Sequence, residues 1–105
     1  MLTYIDENTR GTQVAIDPSV ISVGDYFIMA YGTLIQSSGK CYDHWAYTTK
    51  ADFPLGWKFG GVGASPTEPY NSKYAHKPWL MKFNGRIYHY YTAVGDQGRC
   101  IALNY

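Results

Sequence analysis

Short apolar and aromatic runs, broken by glycine turns, carry most of the chain. Val20-Ile21-Ser22-Val23 leads into Gly24-Asp25 and then Tyr26-Phe27-Ile28-Met29-Ala30-Tyr31. Leu80-Met81-Lys82-Phe83 leads into Asn84-Gly85 and then Ile87-Tyr88-His89-Tyr90-Tyr91. Branched and aromatic runs joined by two-residue turns of this kind are hairpins. The two hairpins are copies of one unit. With Pro18 set on Pro78, sixty residues apart, Val20 meets Leu80, Ile21 meets Met81, Val23 meets Phe83 and Tyr31 meets Tyr91. A third strand repeats more loosely, Asp43-His44-Trp45-Ala46-Tyr47-Thr48 beside Arg99-Cys100-Ile101-Ala102-Leu103-Asn104. The first copy continues through Phe53-Pro54-Leu55-Gly56-Trp57 into a short fourth strand, and Trp57 is expected in the core. The second copy reaches Tyr105 where its fourth strand would begin. Between them, Val62 to Lys73 is rich in Gly, Pro, Ser and Asn and reads as a linker. No stretch has a helical period of useful length. The pattern predicts an all-β chain of two propeller-type four-stranded antiparallel blades: blade one at about 13–61, linker 62–73, and an incomplete blade two at about 74–105. A small β-sandwich or open barrel is the alternative, in which Pro18 and Pro78 would have unrelated surroundings.

Composition narrows the partners. Apolar residues make up 46% and charged residues 16% of 105 positions, the balance of a folding chain. Nine Lys+Arg against eight Asp+Glu leave a net charge of +1. That gives no clustered basic surface for nucleic acid or an anionic membrane, so neither is expected as a partner. No apolar run reaches the roughly 18–20 residues of a membrane-spanning helix, and Met1 to Glu7 lacks the form of a secretory signal. Cys41 and Cys100 are too few for a disulfide scaffold or a cysteine metal site, and whether they pair is open. Neither a metal motif nor a phosphate-cradling glycine loop is present, so no cofactor is expected. Eleven Tyr, three Trp and four Phe suit half-buried strands and binding surfaces.

The ordered set Asp17-Pro18-Ser19-Val20-Ile21, Gly24-Asp25-Tyr26-Phe27-Ile28, then Lys77-Pro78-Trp79 and Gly85-Arg86-Ile87-Tyr88-His89-Tyr90-Tyr91 resembles the blade motifs of the five-bladed β-propeller glycoside hydrolases. The nearest group is that of the arabinanases and xylosidases, glycoside hydrolase family 43, with its propeller relatives. Phe53-Pro54-Leu55-Gly56-Trp57 resembles the stretch that closes a blade there. The resemblance spans Gln13 to Tyr105. It implies a carbohydrate-active propeller module, with hydrolysis of glycosidic bonds in the parent or assembled form and an oligosaccharide or polysaccharide as ligand.

Glycoside hydrolysis uses two carboxyl groups flanking the scissile bond. The resemblance implies three acids on inner strands of successive blades: a base directly before a Pro, a pKa-tuning Asp directly after one, and an acid Glu two residues before one. Asp17 matches the first and is the candidate catalytic base; a turn-forming Asp before Pro is the plainer alternative. Position 79 is Trp where the tuning Asp belongs, and position 76 is His where the acid belongs. His76 and Trp79 are therefore candidate substrate-binding residues, the first as a hydrogen-bonding group and the second as a stacking wall. Glu68 reads as a solvated loop charge. His44 and His89 read as structural, with no acidic partner at useful spacing.

A closed propeller needs roughly 200 residues or more at about 40–50 per blade. Two blades leave sheet faces without partners. The expectation is a piece of a larger propeller or, if the chain is complete, a homo-oligomer that closes the ring. Leu2-Thr3-Tyr4-Ile5 is a candidate outer strand for a neighbour's last blade. The competing reading is a non-catalytic glycan-binding or structural unit that kept the blades and lost the acids.

Overall fold

The computed structural model describes residues 12–35 and 39–105. Leu2 to Ile5 lie outside the described residues. Among the described residues seven strands follow one another: β1 Thr12–Val23, β2 Tyr26–Ile35, β3 Lys40–Thr49, β4 Lys58–Ala64, β5 Tyr74–Phe83, β6 Arg86–Gly95 and β7 Gly98–Asn104. A single turn of 3-10 helix at Pro69–Asn71 interrupts the linker. The chain is all-β, with β1 to β4 forming one antiparallel meander and β5 to β7 a second. They are called blade one and blade two below. One parallel bridge, Cys41 opposite Tyr74, joins them into a sheet that does not close.

The turns follow from their residues. Asn84 and Gly85 both take positive φ, 50° and 74°, which is the twist that a type I′ turn needs between right-twisted strands. Between β1 and β2 only Gly24 does, at 56°, the pattern of a turn with glycine at its first central position.

The first strands of the two meanders are irregular at matching places. The β1–β2 register slips between Ile16 and Ser19, and the β5–β6 register slips between His76 and Trp79. Within each slip, the residue before proline is left-handed: Asp17 at φ 53° and Lys77 at φ 56°. Pro18 and Pro78 thus sit in matching bulges. The third strands match at a different offset from the one the sequence suggested. Ala30 opposes Trp45 and Tyr90 opposes Leu103, so Trp45 corresponds to Leu103 and Asp43 to Ile101. The reason is loop length, four residues between Ile35 and Lys40 against two between Gly95 and Gly98.

Blade two lies across one face of blade one, with β5 against β1, β2 and β3. The backbone N–H of Leu80 donates to Ser19 Oγ at 2.9 Å inside this junction. A small-residue core of Ala64, Ala75, Ala93 and Tyr91 sits where the linker meets blade two. Asn71, buried in the 3-10 turn, donates from Nδ2 to Tyr91 Oη and to the Ser65 carbonyl, each at 3.2 Å. Its Oδ1 accepts the Glu68 N–H at 2.8 Å. Gly95 fits under this turn because it lacks a side chain: a Cβ there would run into the backbone of Pro69 and Tyr70. Trp57 is not core. It is half-buried and donates from Nε1 to the Pro54 carbonyl at 3.0 Å, closing its own loop.

Candidate functional site

The bulges decide where the candidate residues stand. A residue pushed into the left-handed region costs of order 1–3 kcal/mol, and such strain collects at binding and catalytic positions. Asp17 bears it in blade one, where its short polar side chain tolerates the conformation, and it is exposed. Lys77 holds the equivalent place in blade two, so the two strained positions carry opposite charges.

His76, one residue before Lys77, is buried at 8% exposure. Its Nε2 has no hydrogen-bond partner among the described residues. Its ring stacks at a tilt on Tyr74, centroids 5.2 Å apart. Burial holds its pKa below the ordinary histidine value, Lys77 and Arg99 push the same way, and Asp17 opposes them. Asp17 and His76 are thus brought into one neighbourhood by the two bulges.

Asp43 is the acid that sequence spacing did not single out. It lies on β3, fully buried, and its Oδ2 shares a 2.9 Å hydrogen bond with His89 Nε2 on β6. The pair bridges the blades across 46 residues of sequence. Asp43 Oδ1 has no partner among the described residues. Burial pushes the Asp43 pKa up to about 6; the bond and charge of His89 pull it down, and the Asp17 charge adds to the rise. A buried acid whose pKa is raised, in the same region as an exposed one, is an arrangement that acid–base sites use. With no exposed surface, however, Asp43 reaches no substrate in this arrangement. The signal available in the sequence was a lone acid among Trp45, Ala46 and Tyr47, and a lone histidine among Ile87, Tyr88 and Tyr90. Both stand on inward-facing positions of alternating strands, where a polar group needs a partner.

Trp79 stands apart from this cluster. It is 67% exposed, opposite Tyr90 on blade two. The ring is available for stacking, but on a sheet face and not in a pocket with Asp17. Glu68 is exposed and tied to the 3-10 turn: its backbone N–H donates to Asn71 Oδ1, and its carbonyl accepts the Asn71 N–H at 3.1 Å. His44 packs edge-on against Phe59 and Tyr31 at 5.3 and 6.0 Å, and is 4% exposed. Cys41 and Cys100 are both free thiols. Among the described residues no group of three or more His, Cys, Asp and Glu is placed to hold a metal ion.

A cleft of about 300 Å³ runs between the blades, lined by Ala30, His44, Trp45, Leu80, His89 and Asn104. Its floor is apolar apart from the imidazoles. Asn104 Nδ2 donates to the Gly63 carbonyl at 2.8 Å across its edge.

No protein-family model and no curated protein matches the chain. Solved structures do. One described as "Glycoside hydrolase" matches 88% of this chain at 26% identity and a TM-score of 0.63. Another, a complex of BT0996 with RGII, matches 88% at 26% identity and a TM-score of 0.64. In both cases the chain spans 26% of the neighbour's length. The fold is therefore glycoside-hydrolase-like, and it corresponds to about a quarter of those molecules.

Proposed function

We propose that this chain is part of a carbohydrate-active protein of the glycoside hydrolase kind, to which it contributes two adjacent propeller blades and one carboxylate, Asp17. The likeness to a solved glycoside hydrolase over 88% of the chain carries this reading. Asp17 supports it as an exposed carboxylate held in a strained bulge, with buried His76 and Asp43 acting on the same neighbourhood. In the parent protein Asp17 accepts a proton from the attacking water, and an acid on a further blade protonates the leaving oxygen. His76, largely neutral at pH 7, offers a hydrogen-bonding nitrogen to a sugar hydroxyl.

The 105-residue chain lacks a second exposed carboxylate beside Asp17 among its described residues, so it binds sugar without cleaving it. Titration calorimetry against a panel of oligosaccharides, with RGII included because the second neighbour is described with it, is expected to show weak binding. Asp17→Asn should weaken it by about fivefold, the loss of a charge-assisted hydrogen bond partly exposed to water. Absence of binding across the panel would falsify the carbohydrate reading.

A non-catalytic glycan-binding or structural unit is the second reading, and one observation favours it. Blade two has His76, Lys77 and Trp79 around its Pro78 bulge, with no acid among them. Aryl glycoside turnover by the parent protein separates the two. Turnover lost on Asp17→Asn selects hydrolysis, and retained binding with no turnover selects the second reading.

A further inference from the structure

Lys77 does not suit its own backbone. Its φ of 56° lies in the left-handed region, which the short side chains of Asn and Asp tolerate and a long one does not. Asp17, at the equivalent place of blade one, fits its conformation; Lys77 holds its place against local preference. Residues that break a local rule in this way gather at functional positions.

The two strained positions are neighbours. The point where a side chain on Gly32 would begin lies 3.4 Å from Ile16 Cγ1 and 3.7 Å from His76 Cβ. Ile16 precedes Asp17 and His76 precedes Lys77, so both bulges border one spot on β2. Arg99 brings a second cation. It opposes Val94, which opposes Tyr74, and residues opposed across antiparallel strands share a face. Arg99 therefore stands in the row of Tyr74, two strand spacings or about 10 Å away, and Tyr74 packs its ring on His76. Asp17, Lys77 and Arg99 are all exposed. Among the described residues neither cation is in an ion pair. Beside them His76 is 8% exposed, its Nε2 unpartnered among the described residues. All three charges reach its imidazole: burial does most to lower its pKa, Lys77 and Arg99 lower it further, and Asp17 opposes them.

We propose that Lys77 and Arg99 form a subsite for the carboxylate of an acidic sugar, beside Asp17. An ammonium and a guanidinium with no carboxylate of their own are donors for one carried by a ligand. His76, with its proton on Nε2, donates to the same group. The exposed carboxylate of Asp17 repels an acidic ring, and the opposite sign at the second bulge attracts it. The pair of bulges thus orients a ligand, its neutral ring at Asp17 and its acidic ring at Lys77. With a net charge of +1, the attraction belongs to this spot and not to the chain as a whole. The subsite rests on the carbohydrate reading and narrows it to a sugar acid.

Titration calorimetry on the full chain tests it, with a galacturonate trisaccharide and with its methyl ester, which keeps the rings and removes the charge. At low ionic strength the acid is expected to bind about tenfold tighter than the ester, the worth of two exposed charge contacts, and the ratio shrinks as salt is added. Lys77→Asn, better suited to the left-handed backbone, should fold at least as stably as the parent and yet lower the ratio to about threefold. Adding Arg99→Gln should bring it to about one. An ester that binds as tightly as the acid overturns the proposal, as does a ratio that survives in the folded double variant. In both cases sugar is still bound, and the carbohydrate reading stands. Binding of neither probe, where a neutral oligosaccharide of the panel binds, overturns the acidic subsite alone. A panel in which nothing binds overturns both.

Discussion

At the residue scale the Asp43–His89 pair makes the sharpest predictions. A buried polar pair is costly to break and often cheap to replace whole. Asp43→Ala should lower stability by about 1–3 kcal/mol, because it leaves the His89 nitrogen without an acceptor. Asp43→Ile with His89→Met, an apolar pair of similar size, should return to within about 1 kcal/mol of the parent. Urea denaturation of the two singles and the double closes this cycle, and additive losses would show that the residues act independently. The pair also sets a pH dependence. Between the ordinary Asp value of 3.8 and about 6, the folded chain keeps a proton on Asp43 that the unfolded chain has lost. The folded state binds more protons in that window, so the Asp43 contribution to stability falls as pH rises through it and is flat above. His76 acts in the opposite sense. Its pKa is lowered on folding from 6.5, so below that value the unfolded state binds more protons and stability rises with pH. Urea midpoints taken every half unit from pH 4 to pH 7 should therefore rise more steeply with pH in Asp43→Asn than in the parent.

At the scale of elements, the linker and the bulges are separable. The 3-10 turn is fastened to β6 by Asn71, by Gly95, and by the Lys73 N–H donating to the Val94 carbonyl at 2.9 Å. Gly95→Ala should cost about 1–3 kcal/mol, since the backbone it meets cannot yield as a side chain would. Asn71→Ala should cost a similar amount through the Tyr91 hydroxyl and the Ser65 carbonyl it abandons. Thermal melts check both, and a loss confined to Gly95→Ala would mean the Asn71 bonds are replaced by water. The bulge at Lys77 is set by its register and not by its side chain. Lys77→Asn, which suits the left-handed region better, should stabilise blade two by about 0.5–1 kcal/mol.

For the whole molecule, the decisive feature is the asymmetry of blade two. One face is spent on blade one, and the other shows Trp79, Phe83 and Ile101 to solvent. Of the three tryptophans, Trp45 and Trp57 are half-buried and Trp79 is 67% exposed. Acrylamide should therefore quench Trp79 far more than the others. Trp79→Phe should remove most of the quenchable emission, and quenching left unchanged by it would place another tryptophan at the surface.

The glycine turns and the all-β class were legible in the sequence because they are local: strand propensity and turn chemistry act over a few residues. The third-strand register was not legible, since it depends on how many residues the preceding loop absorbs, and two fewer after Gly95 shift Ile101 into the place of Asp43. Nor was the Asp43–His89 bond, which joins strands 46 residues apart through the angle at which one blade lies on the other. That angle also placed Trp79 on an open sheet face, away from Asp17. Packing between sheets is a matter of surfaces formed by many residues at once, and no spacing along the chain encodes it.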